Sequence, residues 1–125
     1  DDSYDFSFSG LKTAVLREVQ RYDESRMPVN DLAASFQAAV VDVLVAKTVL
    51  AAEENEAKAV HVVGGVSANR ALRQAMAERS EVPVRMPPLI LCTDNAAMIG
   101  AAAHWRFLAG QRDSMDLDVL PSLRL

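Results

Sequence analysis

Gly64-Gly65-Val66-Ser67-Ala68-Asn69 joins an apolar run, Ala59 to Val63, to a helical pattern from Ala68 to Arg79. A strand that turns through paired glycines into a helix makes an anion site. The glycines let backbone N–H groups approach a phosphate, and the helix N-terminus adds partial positive charge. Ser67 stands where an N-cap is expected, and Asn69 brings a side-chain amide that both donates and accepts. The chemistry implied is nucleotide binding. A tight turn with no ligand is the plainer alternative.

Asp94 is the second candidate, placed after Thr93 and before an apolar helix. As an N-cap or first-turn acid it would contribute about 0.5–2 kcal/mol. As a ligand it would hold a metal, or a metal-bound phosphate, at the mouth of a cleft. One carboxylate does not hold an ion tightly, so further ligands must come from elsewhere. His104 follows ten residues later on the same helix, roughly 15 Å along its axis, and cannot share an ion with Asp94. His61 and His104 read as structural, and Cys92 as a small buried hydrophobe rather than a nucleophile. Arg70 and Arg73 either face a phosphate or form a solvated helix face. Lys12 lacks the glycine spacing of a phosphate loop.

The elements that must position these groups follow from periodicity. Tyr4 to Ser9 alternates like a half-buried strand, and Leu11 to Tyr22 reads as a short amphipathic helix. A polar link, Asp23 to Pro28, precedes a long helix capped by Asn30 or Asp31 and running to about Glu54. Its expected core stripe includes Leu32, Phe36, Ala39, Val40, Val43, Leu44 and Leu50. Lys58 to Val63 has the valine content of a strand covered on both faces. A helix to near Ser80, a short strand at Val82 to Met86 closed by Pro87-Pro88, and an alanine-rich helix stopped by Gly110 complete the pattern. Trp105 is expected in the core, with cover of an edge or a partner surface as the alternative. The order points to α/β, helix-rich, with a small incomplete sheet and a loosely patterned tail, 113–125.

Composition narrows the function classes. The chain has 125 residues, half of them apolar, and a net charge of -4. That is one domain's length, with no global basicity for gripping nucleic acid by counterion release. A lone cysteine excludes an intrachain disulfide and fits a reducing, cytoplasmic setting. The acidic start shows no signal peptide, and charges interrupt the longest apolar patterns, so no membrane span is expected.

Four motifs occur in order: Asp5-Phe6-Ser7-Phe8-Ser9-Gly10-Leu11-Lys12-Thr13, Asp31-Leu32-Ala33-Ala34-Ser35-Phe36-Gln37, Gly64 through Arg73, and Cys92-Thr93-Asp94-Asn95-Ala96-Ala97-Met98-Ile99-Gly100. Together they resemble the C-terminal part of the tRNA threonylcarbamoyladenosine synthesis transferases, a family once called glycoproteases. The likeness covers nearly the whole chain, weakening in the link and the tail. It implies an actin-like ATPase (ribonuclease H-like) fold of two α/β lobes around a nucleotide cleft. Residues 1–125 would be most of the second lobe without its first strands.

The implied reaction moves threonylcarbamoyl from its adenylate to an adenosine beside the tRNA anticodon. By the same resemblance, Gly64 and Gly65 form the phosphate-side turn and Asn69 contacts the nucleotide, ATP or threonylcarbamoyl-adenylate. Asp94 would ligate iron or zinc, whose two histidine ligands lie in a motif absent here. The implied partners are tRNA within a full complex, a related pseudo-enzyme subunit and an accessory ATPase. The chain alone is then expected neither to hold metal tightly nor to catalyse transfer. Two other classes stay open: a non-catalytic interaction lobe, including self-association through an open sheet edge, and the metallo-glycoprotease of the older name. The paired-histidine helix of zinc proteases is missing, and the Cys92-Thr93-Asp94-Asn95 motif argues against a sugar kinase.

Overall fold

The computed structural model describes residues 3–118. In chain order the helices and strands are α1 (Phe8–Val19), α2 (Val29–Glu54), β1 (Val60–His61), α3 (Arg70–Arg79), β2 (Val84–Arg85) and α4 (Ala96–Leu108). Short 3₁₀ turns lie at Glu24–Arg26, Gly65–Ala68 and Leu89–Leu91. Two compact units divide the chain, Asp1–Cys92 and Thr93–Leu125.

In the first unit β1 and β2 run parallel, with Val60 opposite Val84 and His61 opposite Arg85. The Val60 and Val62 N–H groups donate to Pro83 and Arg85 carbonyls at 2.9 and 3.0 Å. Helix α3 is the crossover between these strands, as a parallel pair requires. Its buried residues Leu72 and Met76 lie four apart on one face and meet Val45 and Ala52 of α2 and Val60 of β1. Helix α2 ends in a Schellman arrangement. Glu56 N–H reaches Glu53 O (3.1 Å) and Ala57 N–H reaches Ala52 O (2.8 Å), with Glu56 left-handed at φ +49. That reversal aims the chain into β1. The segment before α1 lies along the end of α2: Tyr4 donates to Glu54, Asn55 Nδ2 donates to the Tyr4 hydroxyl at 3.3 Å, and Lys47 donates to the Ser3 carbonyl. The bond to Glu54, with lesser desolvation and Coulombic repulsion, raises the Tyr4 phenol above its usual range against a smaller opposing effect of Asn55.

Several expectations change. Tyr4 to Ser9 is not a strand. Ser7 accepts the Gly10 N–H at 3.1 Å and caps α1, so Gly10 lies inside the helix that it was expected to precede. A strand needs a neighbour to pair with, and none reaches this segment among the described residues. Asn30 and Asp31 do not cap α2, which starts after Pro28 with no side-chain cap. The Lys58 to Val63 strand shrinks to Val60–His61 and is covered on one face only, with Val60 buried and His61 exposed. The core face of α2 is Val45 and Ala52 flanked by Val41, Leu44 and Val49, so Leu44 alone of the expected stripe reaches the core. Phe36 and Leu50 are 44% and 40% exposed. Because α2 is apolar nearly all round, its sequence did not single out one face. By length and composition it could cross a membrane, a test that a core helix of a soluble protein also passes.

The second unit carries α4, which ends in the same manner as α2. Gly110 N–H reaches Phe107 O at 3.1 Å and Gln111 N–H reaches Arg106 O at 3.0 Å, with Gly110 at φ +79. The expected glycine stop is therefore present. Trp105 is not in a core: it is 71% exposed and packs edge-on to His104. Residues 111–118 form no helix or strand, and the rest of the expected tail, 119–125, falls outside the described residues.

Leu72→Ala should lower unfolding free energy by about 2–5 kcal/mol, because it empties the α2–α3–β1 contact. Phe36→Ala, on the open face of α2, should change it by under about 1 kcal/mol. Urea denaturation of the two variants tests which face of α2 carries the fold.

Candidate functional site

The glycine turn is built by its own backbone and one serine. Gly64 adopts φ +85, ψ 175, a region essentially restricted to glycine. Ser67 is 1% exposed, and both its N–H (3.0 Å) and its hydroxyl (2.6 Å) donate to the Gly64 carbonyl. It latches the turn shut instead of capping the helix, which corrects the expected N-cap. Gly65 and Val66 stand ahead of that first closing bond, so their N–H groups are left for solvent or a ligand. A Cβ built on Gly64 or Gly65 meets nothing within 4 Å. Nothing in the fold needs Gly65 to lack a side chain, whereas a ligand approaching the backbone would.

Asn69 is the true cap of α3. Its Oδ1 accepts the Leu72 N–H at 3.0 Å, and its Nδ2 donates to Gln37 Oε1 at 2.9 Å. Both halves of the amide are thus engaged, and Nδ2 can serve a ligand only by exchanging Gln37 for it. These two amides are the polar groups of an open hollow of about 520 Å³. Phe8, Phe36, Val40, Leu44, Val66 and Leu72 supply most of its apolar wall. That volume suits a small organic ligand held by few polar groups. Much of the wall is the α2 stripe that the sequence assigned to the core.

The two arginines after the turn part company. Arg70 is exposed, while Arg73 donates to the Ser67 and Pro87 carbonyls and to Cys92 Sγ. Cys92 is 3% exposed, as expected of a small buried hydrophobe. Sequence reasoning missed the tie made by Arg73 and the role of Gln37. The first leaves no mark in spacing, because its acceptors are mostly backbone; Gln37 ends the second motif but carried no chemistry by itself.

In the second unit Asn95, not Asp94, caps α4: Oδ1 accepts the Met98 N–H at 3.1 Å and Nδ2 donates to Thr93 O at 2.8 Å. Asp94 is exposed and makes no hydrogen bond or ion pair among the described residues. Its carboxylate is not spent on capping. Among the described residues no three His, Cys, Asp or Glu side chains converge to hold a metal ion. Asp94 has no such partners among the described residues.

The family model TsaD, tRNA N6-adenosine threonylcarbamoyltransferase, matches residues 2–101. A protein of that name from Dehalococcoides mccartyi is 54% identical over 121 residues, covering 97% of this chain and 36% of the relative. Its namesake from Thermomicrobium roseum is 50% identical over 145 residues, covering 99% and 40%. One from Clostridium botulinum is 45% identical over 130 residues, covering 100% and 38%. The chain thus spans well under half the length of the curated relatives it matches.

The geometry separates adjacent positions that carry stability from one that does not. Gly64→Ala should cost about 1 kcal/mol or more through its positive φ, and Asn69→Ala about 1 kcal/mol through the lost cap. Gly65→Ala should leave thermal stability within about 0.5 kcal/mol of the unsubstituted chain. Melting curves of the three variants check this.

Proposed function

The chain belongs to the tRNA N6-adenosine threonylcarbamoyltransferase family, and from that premise we propose that it forms the nucleotide-side lobe of such a transferase, with an actin-like ATPase fold in the intact protein. The observation that carries the reading is the Gly64–Asn69 turn: unspent N–H groups on Gly65 and Val66, beside space that no side chain fills. In the reaction, the adenosine N6 attacks the carbonyl carbon of threonylcarbamoyl-adenylate. The carbon–oxygen bond to the phosphate breaks, AMP leaves with the electron pair, and N6 gives up a proton. The turn's N–H groups hold the phosphate as it gains charge, an electrostatic role with no covalent protein intermediate. Asn69 and Gln37 offer amide groups to the nucleoside, and the apolar hollow beside them excludes water from it.

Asp94 is the one side chain of this chain proposed as a ligand for iron or zinc. The remaining ligands would come from outside it. tRNA, a related pseudo-enzyme subunit and an accessory ATPase are the proposed partners, in the cytoplasm. A second reading, a non-catalytic interaction lobe, draws support from the exposed apolar face of α2, where Phe36 is 44% exposed. Partner binding that is unaffected by Asn69→Ala, in a chain that does not bind nucleotide, would favour it.

The test is an amide NMR titration of the chain with Mg-ATP, beside Asn69→Ala. Shifts centred on Gly64–Arg73 and abolished in the variant are the expected result. A dispersed spectrum that ignores Mg-ATP would remove nucleotide binding by this chain.

A further inference from the structure

Arg73 lies one helical turn beyond Asn69, to whose carbonyl its own N–H donates at 3.1 Å. Two nitrogens of its guanidinium engage three separate places. Nε donates to the Ser67 carbonyl at 2.5 Å, and Nη2 donates to the Pro87 carbonyl at 2.6 Å and to Cys92 Sγ at 3.1 Å. The side chain is half-buried, and neither ion pair found among the described residues includes it. A guanidinium is being used here as a rigid three-way hydrogen-bond donor, not as a charge partner.

We propose that Arg73 is the positioning residue of the glycine turn, a strut that couples the turn to the Pro87–Cys92 segment. Ser67 makes this effective. Its N–H and hydroxyl close the turn on Gly64, and its carbonyl is the atom Arg73 grips. Because the peptide is planar, holding that carbonyl sets the orientation of the whole Ser67–Ala68 peptide. The planar fork of arginine holds its donors in fixed directions, whereas a lysine ammonium is a compact point charge on a flexible stem. A displacement at Cys92 is therefore passed to the turn that the preceding reading assigns to phosphate. The strut's importance to function rests on that reading; its existence does not.

The experiment is a double-variant cycle read by amide NMR of this chain, with Cys92→Ala, Arg73→Lys and the pair. Cys92→Ala should shift the Gly64–Ser67 amides in the unsubstituted background and add nothing further in Arg73→Lys. Arg79→Lys, on the same helix but paired with Asp42 at 2.7 Å, should leave the response of the Gly64–Ser67 amides to Cys92→Ala unchanged. Gly64–Ser67 amides that ignore Cys92→Ala, or that shift equally in both backgrounds, would overturn the strut. If Arg73→Lys unfolds, the single Cys92→Ala comparison decides. A turn that responds to Cys92→Ala but not to Mg-ATP keeps the strut and removes the phosphate reading alone.

Discussion

The insertion of Leu72 and Met76 between α2 and β1 is the contact on which the rest of the first unit depends. These side chains are 4% and 2% exposed, against Val45 at 0%. Burying each is worth about 1.5–3 kcal/mol, a large share of what holds so small a core together. Two strands of two residues each could not persist without it. The same contact fixes where α3 begins, and hence where Asn69, Arg73 and the glycine turn stand.

From that anchor the site is assembled by short-range bonds. Ser67 folds the turn onto Gly64, Asn69 caps the helix and reaches across to Gln37 of α2, and Arg73 ties the turn to the Pro87–Cys92 segment. Each bond is modest in itself, on the order of 1 kcal/mol for a neutral pair and more for a charged donor. Their effect is orientation: they hold a backbone concavity open with its donors unspent. The Gly65 position shows the division of labour, since its missing side chain serves neither packing nor dihedral needs.

The open face of α2 belongs to the same account. A helix apolar nearly all round is made to be covered on more than one side, and this chain covers the side bearing Val45 and Ala52. Part of what remains, including Phe36 and Val40, lines the hollow beside Gln37 and Asn69. The chain spans 36–40% of the length of relatives bearing the transferase name, so the proposed lobe accounts for part of such a protein's surface and chemistry.

Local chemistry was legible in the sequence. The glycine pair, the asparagine after it, the capping cluster at Thr93 to Asn95, the Gly110 stop and the helix–strand–helix–strand order all depend on residues near one another in the chain. The four ordered motifs also carried the family, which the comparisons bear out. Alternation at Tyr4 to Ser9 misled because period alone cannot supply a partner strand, while the Ser7 cap needs only its own neighbours. Three things were settled only by tertiary structure. Packing against α3 chose which face of α2 is buried. Ser67 and Asn69 divided latch from cap according to where α3 starts. Arg73 found carbonyls and a thiol up to nineteen residues away. Spacing reports what a residue can reach within its own element; which surfaces meet depends on burial shared among elements, and no single segment encodes that.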